Sequence, residues 1–153
     1  MTCIFGITGT NGKTTTAYMA SAILEKAGKK CALIGTVVHK IGDKTYEAVN
    51  TTPGRDTLRQ YMHEACAQGI DTMVMEVSSH ALAQGRTDEM PIRYAAFMNL
   101  TRDHLDYHKS MEEYYLTKKK LFDFKTLDAA IINIDDSYGK RLYRELKEER
   151  DDI

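Results

Sequence analysis

Residues 6–15, Gly6-Ile-Thr-Gly-Thr-Asn-Gly-Lys-Thr-Thr15, place glycines at every third position just ahead of a lysine and a pair of threonines. Glycines let a backbone approach phosphate oxygens, and the first turn of a following helix aims its amides at an anion. The segment therefore reads as a phosphate loop over Gly9, Thr10, Asn11, Gly12, Lys13, Thr14 and Thr15 that takes ATP with Mg²⁺. Lys13 would neutralise the terminal phosphates, and the Thr14 hydroxyl would ligate Mg²⁺. The strict G-x-x-x-x-G-K-[ST] pattern wants glycine at position 7, where this chain has Ile7. A generic glycine-rich turn is the plain alternative, and Gly-Lys-Thr-Thr between a strand and a helix argues against it.

Three further places carry reactive side chains. Glu76 ends the apolar run Thr72-Met-Val-Met-Glu, where an acid can hold a metal, orient water or simply face solvent. Val77-Ser-Ser-His-Ala-Leu82 adds hydroxyls and an imidazole at the same edge. Asn99-Leu-Thr-Arg-Asp-His-Leu-Asp-Tyr-His108 is a dense polar loop, and its His104 can ligate a metal, orient a carboxylate or cap the loop. On a helix over 111–122, Lys118 shares a stripe with Met111, Tyr114, Tyr115, Leu121 and Phe122, whereas Lys119 and Lys120 point away as solvated charges. Burial makes a lysine ammonium costly and lowers its pKa, and a neutral amine can add CO₂ to form a carbamate. The competing reading is a buried stem with its ammonium in water.

The elements that must position these groups alternate. Strands are expected at Thr2–Thr8, Cys31–Val38, Asp71–Val77, Tyr94–Leu100 and Ala129–Ile134, with a turn at Ile41-Gly42-Asp43-Lys44. Helices are expected from Lys13 to Ala27 (with Ala17, Ala20, Leu24 and Ala27 inward), from Pro53 to Gly69, from Ser110 and from Tyr138. Ser110 and Glu113 form a capping box. Such alternation predicts an α/β fold with a parallel sheet covered by helices on both faces, and ligands at the carboxyl ends of the strands. At 153 residues there is room for one domain with a real core. A net charge of −1 gives no electrostatic case for nucleic acid or a membrane surface, and no apolar run is long enough to span a bilayer. Cys3, Cys31 and Cys66 form no paired spacing and are expected to be small buried hydrophobes in a reducing cytoplasm.

These runs, in this order, resemble the central ATP-binding domain of the Mur ligases, and within them the tripeptide-synthetase branch. The matching segments are GITGTNGKTTT, Asn50-Thr51-Thr52-Pro53, EVSSHAL with Gln84 and Arg86 behind it, NLTRDHLDYH, and Tyr114 to Phe122, spanning about residues 4–135. The resemblance implies a phosphate-loop domain that helps add the third amino acid to UDP-N-acetylmuramoyl-L-alanyl-D-glutamate through an acyl phosphate, in peptidoglycan biosynthesis. It implies that Glu76 and His104 help hold Mg²⁺, and that Lys118 is a carbamylated lysine positioning a second Mg²⁺. It places Asn50, Thr51, Thr52, Ser78, Gln84 and Arg86 against the UDP-muramoyl dipeptide. The second substrate would be a free amino acid, and a monomer is expected.

Departures from the family pattern include Lys109, where glycine is usual, and Arg55 after the Thr-Thr-Pro turn; both read as tolerated loop variation. Family members carry an N-terminal uridine-nucleotide domain and a C-terminal amino-acid domain outside the region of resemblance, and the later strands of the central domain would follow Ile153. A nucleotide-binding fragment without ligase activity is therefore a second reading. A folylpolyglutamate-type ligase is a third, disfavoured by EVSSHAL and Thr-Thr-Pro.

Overall fold

The computed structural model describes residues 2–103 and 107–150. In chain order the elements are β1 (Cys3–Thr8), α1 (Lys13–Lys26), β2 (Cys31–Ile34), β3 (Val38–Ile41), β4 (Lys44–Glu47), α2 (Arg55–Ala67), β5 (Thr72–Glu76), α3 (Ser79–Ala83), β6 (Ile92–Phe97), α4 (Met111–Lys119), a 3₁₀ turn (Lys120–Phe122), β7 (Ala129–Ile132) and α5 (Ser137–Glu149). Among the described residues the strands form one sheet in the order β4-β3-β2-β5-β1-β6-β7. The five strands from β2 to β7 in that order run parallel, with Ile7 of β1 level with Glu76 on one side and Ala96 on the other. Parallel neighbours need crossovers, and the helices supply them.

The sheet alternates its side chains between two cores. Phe5 and Ile7 of β1 face α1, which contributes Ala17 and, half-buried, Ala20 and Leu24. Ile4 faces the larger core with Leu58 and Tyr61 of α2, Tyr114 and Tyr115 of α4, Phe122 of the 3₁₀ turn, and Leu142 and Leu146 of α5. Full burial of each such side chain is worth about 1.5–3 kcal/mol relative to exposure.

The structure corrects several sequence expectations. Cys31–Val38 is not one strand: the Gly35 amide donates to the Val38 carbonyl at 3.2 Å, and the chain turns back into β3. β3 pairs antiparallel with both β2 and β4, so the sheet is mixed rather than wholly parallel. β4 (Lys-Thr-Tyr-Glu) lies on the open edge with mostly exposed side chains, and polar alternation of this kind suits an edge. α1 is buried along Ala17 and Ser21, while Ala27 at its C-cap is exposed. Cys66 is exposed and Cys3 half-buried, so Cys31 is the buried thiol of the three. The short helix α3 was not expected; the remaining strands and helices lie within a few residues of expectation, and α4 is capped as expected by the Ser110 hydroxyl, which accepts from the Glu113 amide at 3.1 Å. Its carboxylate returns to the Lys109 amide, at 3.2 Å, instead of to that of Ser110.

Candidate functional site

Ile7 explains why the strict phosphate-loop pattern fails there. It is still inside β1 and its carbonyl accepts from the Val77 amide at 2.8 Å, so the turn begins only after Thr8. Gly9 has φ 152°, and a Cβ there would stand 2.9 Å from the Cβ of Met98; both restrictions call for glycine. The loop is then pinned to the end of β6. The Asn11 amide donates to Asn99 Oδ1 (2.9 Å), Asn99 Nδ2 donates back to the Asn11 carbonyl (3.1 Å), and the Thr10 amide donates to the Asn99 carbonyl (3.0 Å). Thr10 is buried, its hydroxyl shared between Tyr114 Oη and the Thr101 backbone. Lys13 opens α1, and the amides of a first helical turn have no intrahelical acceptor and face outward. Lys13 Nζ folds over the loop onto the carbonyls of Gly9 (2.9 Å) and Thr10 (3.0 Å). Burial lowers its pKa, against the opposing pull of Glu76 and Asp103.

Glu76 ends β5, directly beside Ile7, and is fully buried. The solvent-facing reading left open by the sequence is thereby excluded. Its Oε2 accepts from the hydroxyls of Thr14 (2.9 Å) and Thr36 (3.0 Å), and its Oε1 from the Thr36 amide (3.0 Å). A carboxylate and a threonine hydroxyl side by side are hard oxygen donors that fit Mg²⁺. Among the described residues no group of three or more His, Cys, Asp or Glu side chains gathers as a softer metal site would. His104 lies outside the described residues.

Across the cleft stands the segment 50–52. The buried Thr52 hydroxyl donates to the Glu76 carbonyl (2.8 Å) and accepts from the Ser78 amide (3.0 Å). Arg86 Nη1 donates to the Thr52 carbonyl at 2.7 Å, while its Nε and Nη2 grip Gln84 Oε1 at 2.8 and 2.6 Å. Arg55, read from sequence as tolerated variation, donates to the Gly85 carbonyl at 2.8 Å and so supports the turn between Gln84 and Arg86. Phosphate-loop residues 10–15, Asn50, Thr51, Thr52, Glu76, Ser78 and Arg86 line one cleft of about 470 Å³. Gln84 does not line it and acts on Arg86 instead. His80, the imidazole read from the sequence at this edge, lines it too, as does Thr36, which sequence reasoning missed. For Thr36 the signal was available, a hydroxyl just past a strand end, but it was hidden by running the strand on to Val38.

Lys118 is 1% exposed, so its ammonium does not reach water. Nζ donates to the Gly9 carbonyl at 3.0 Å and to Thr8 Oγ1 at 3.5 Å, and lies 4.6 Å from the centre of the Tyr114 ring. Burial first, and then the nearby Lys13 charge, push its pKa down to about 7, with Asp103 opposing. Lys119 is not the solvated charge expected: its side chain is 14% exposed and pairs with Glu145 and Glu149.

An open, mostly parallel sheet with a glycine loop feeding a helix from its central strand defines the phosphate-loop class of α/β domain. Residues 7–153 match the family model described as the Mur ligase middle domain, and the chain belongs to that family. It is 47% identical over 146 residues to the UDP-N-acetylmuramoyl-L-alanyl-D-glutamate–2,6-diaminopimelate ligase of Geobacter metallireducens, covering 91% of this chain and 29% of that protein. The ligase of the same name from Bacillus licheniformis is 50% identical over 140 residues, covering 87% of this chain and 29% of that one. The chain thus spans under a third of the length of these relatives. A solved structure of a ligase of this name superposes with a TM-score of 0.84 at 33% identity, over 96% of this chain and 30% of that one. Escherichia coli FolC, solved with DHPP and ADP, shares the fold at a TM-score of 0.61 and 18% identity, over 93% of this chain and 40% of that one. No helix among the described residues is long and apolar enough to cross a membrane.

Proposed function

We propose that this chain is the ATP·Mg²⁺-handling domain of a ligase that joins a free amino acid to UDP-N-acetylmuramoyl-L-alanyl-D-glutamate, a step of peptidoglycan synthesis in the cytoplasm. The observation that carries this reading is one cleft with two walls: the phosphate loop on one side and Asn50, Thr51, Thr52, Ser78 and Arg86 on the other, with Glu76 between them. Two ligands that must exchange a phosphoryl group need such shared walls.

In this reading the dipeptide carboxylate attacks the γ-phosphorus, the bond to the ADP oxygen breaks, and an acyl phosphate forms. The amine of the incoming amino acid then adds to the acyl carbon and inorganic phosphate departs. Lys13 swings from the Gly9 and Thr10 carbonyls onto the terminal phosphates, and the α1 amides hold the others. Thr14 and Glu76 would hold Mg²⁺, with His104 joining them as the resemblance implies, and the ion when bound would neutralise charge on the phosphates. Lys118, with a pKa near neutrality, would be the amine that adds CO₂ and releases a proton, and the resulting carbamate would serve as a ligand for a second Mg²⁺. Arg86 and Gln84 orient the segment that meets the muramoyl dipeptide.

Calorimetric titration with Mg²⁺·ADP tests the nucleotide half directly. The parent chain is expected to bind, and Lys13→Ala to lose at least about tenfold in affinity, the scale of a charge-assisted phosphate contact. Identical isotherms for the two proteins would remove the phosphate-loop assignment.

A further inference from the structure

The hydroxyl of Thr36 stands between the two walls of the cleft, and nothing in the reaction scheme uses it. β2 stops at Ile34, and the turn made by the Gly35 amide on the Val38 carbonyl swings Thr36 toward the end of β5. There the backbone of residues 35 and 36 is fitted to one carboxylate. A Cβ built on Gly35 would fall inside contact distance of Glu76 Oε1 and 3.1 Å from its Cδ, so only glycine leaves room for the carboxylate to lie on the chain. The Thr36 amide then donates to Oε1 and its hydroxyl to Oε2, both at 3.0 Å.

The same hydroxyl lies 3.0 Å from Thr51 Oγ1. A hydroxyl carries one proton. Thr36 spends its proton on the Glu76 carboxylate, so the proton between the threonines comes from Thr51. A directed chain results, Thr51 to Thr36 to Glu76, linking the proposed acceptor wall to the proposed cation ligand. Thr14 is a candidate cation ligand in its own right, whereas both Thr36 donors are occupied with the carboxylate.

We propose that Thr36 is a positioning residue, which fixes the Glu76 carboxylate toward the divalent cation of this cleft and ties its orientation to Thr51. The proposal rests on the Mg²⁺·nucleotide reading above. Partners that hold a metal-ligating carboxylate commonly govern metal affinity as strongly as a ligand does.

The test uses Mn²⁺ in place of Mg²⁺ and reads free Mn²⁺ by electron paramagnetic resonance in the presence of saturating ADP. Thr36→Val keeps the shape and the amide and removes the hydroxyl. It is expected to weaken Mn²⁺ in the ternary complex by about 10- to 100-fold, with metal-free ADP affinity held within about twofold. Thr36→Ser restores the hydroxyl and is expected to return Mn²⁺ affinity to within about threefold of the parent. Thr51→Val should weaken Mn²⁺ less than Thr36→Val does, and the double variant no more than Thr36→Val alone, because the effects pass through one bond chain. Unchanged Mn²⁺ affinity in Thr36→Val, a serine variant as poor as the valine one, or additive losses in the double variant would each overturn the proposal. If the parent binds no Mn²⁺·ADP and matches Lys13→Ala, the nucleotide reading falls and this proposal with it; a parent that binds and is sensitive to Lys13→Ala isolates the Thr36 result.

Discussion

Glu76 and Lys118 are both buried charged side chains, 0% and 1% exposed, and they meet the phosphate loop at different points. Glu76 touches it at Thr14 and has three donors on its two oxygens. Lys118 touches it at Gly9 and has one good acceptor, one hydroxyl at 3.5 Å and the face of a tyrosine. A desolvated charge must be matched by fixed dipoles or opposite charge, or it gives up its charge. Among the described residues, three donors meet the carboxylate, whereas the ammonium meets one acceptor at 3.0 Å and the pull of Asp103 does not offset its burial. One site is thereby built to hold a side chain in place by hydrogen bonds and the other to let a proton leave near neutral pH.

The largest break in this pairing comes from Glu76→Ala. It strands the Thr14 hydroxyl and both Thr36 donors beside a buried gap, and each unpaired buried polar group costs about 1–3 kcal/mol, less where water can enter from the cleft. A loss near 3 kcal/mol is expected in urea unfolding. A loss under about 1 kcal/mol would mean that the cradle contributes little in the nucleotide-free state.

Lys118→Met should move stability the other way. The folded-state pKa lies at about 7, below the ordinary value of 10.5. The folded state therefore resists protonation more than the unfolded chain does. The penalty is full below about pH 7 and fades as pH rises toward 10.5, and the drop sets its ceiling at about 5 kcal/mol. In CO₂-free buffer Lys118→Met should gain about 2 kcal/mol near pH 6, with the gain shrinking as pH rises. Added ¹³C-bicarbonate should give the parent a carbamate carbonyl resonance that the methionine variant lacks. A variant less stable than the parent at every pH would show that the ammonium is well matched after all, and the contrast with Glu76 would disappear.

How much of this was legible in the sequence follows from how local each cause is. The strand–glycine loop–helix path at Gly9 to Thr15, the order of the parallel strands and longer helices, and the buried stripe around Lys118 are written in spacing, and as structure they stand. The β3–β4 hairpin was not, because Cys31 to Val38 is an unbroken set of residues that suit a strand, and only the approach of Glu76 from β5 shows why the chain turns at Gly35. Cys66 was misplaced because unpaired cysteines were expected to be buried as small hydrophobes, whereas α2 buries Leu58, Tyr61 and Ala65 and leaves Cys66 exposed. The cradle joins residues 14, 36 and 76, and the Lys118 contact spans more than a hundred positions. Resemblance to a family named the ligand candidates, but it gave no hint that Thr36 holds one of them.

Lys119 supplies a milder third case, a charge half-removed from water and fully partnered. Its Nζ lies 2.9 Å from Glu145 Oε2, which also accepts from Tyr115 Oη at 2.7 Å, while Arg141 Nε takes Oε1 at 2.6 Å. Burial by itself would raise the Glu145 pKa, but the bonds from Arg141, Lys119 and Tyr115 outweigh it and hold the group down at about 2, against an ordinary 4.5. A carboxylate depressed in the folded state contributes stability that is present above the unfolded value and lost as pH falls through the folded one. Glu145→Gln should therefore cost about 1 kcal/mol at neutral pH, after discounting for solvent around a side chain that is a quarter exposed. The cost should fade between about pH 4.5 and pH 2, the range in which the parent loses its own advantage. Urea unfolding of parent and variant across that range checks it. A cost that persists undiminished at the acid end would trace to packing of the glutamine against Tyr115 rather than to charge. It would also confine the rule drawn from Glu76 and Lys118, that partners decide how a buried charge is tolerated, to side chains that touch the phosphate loop.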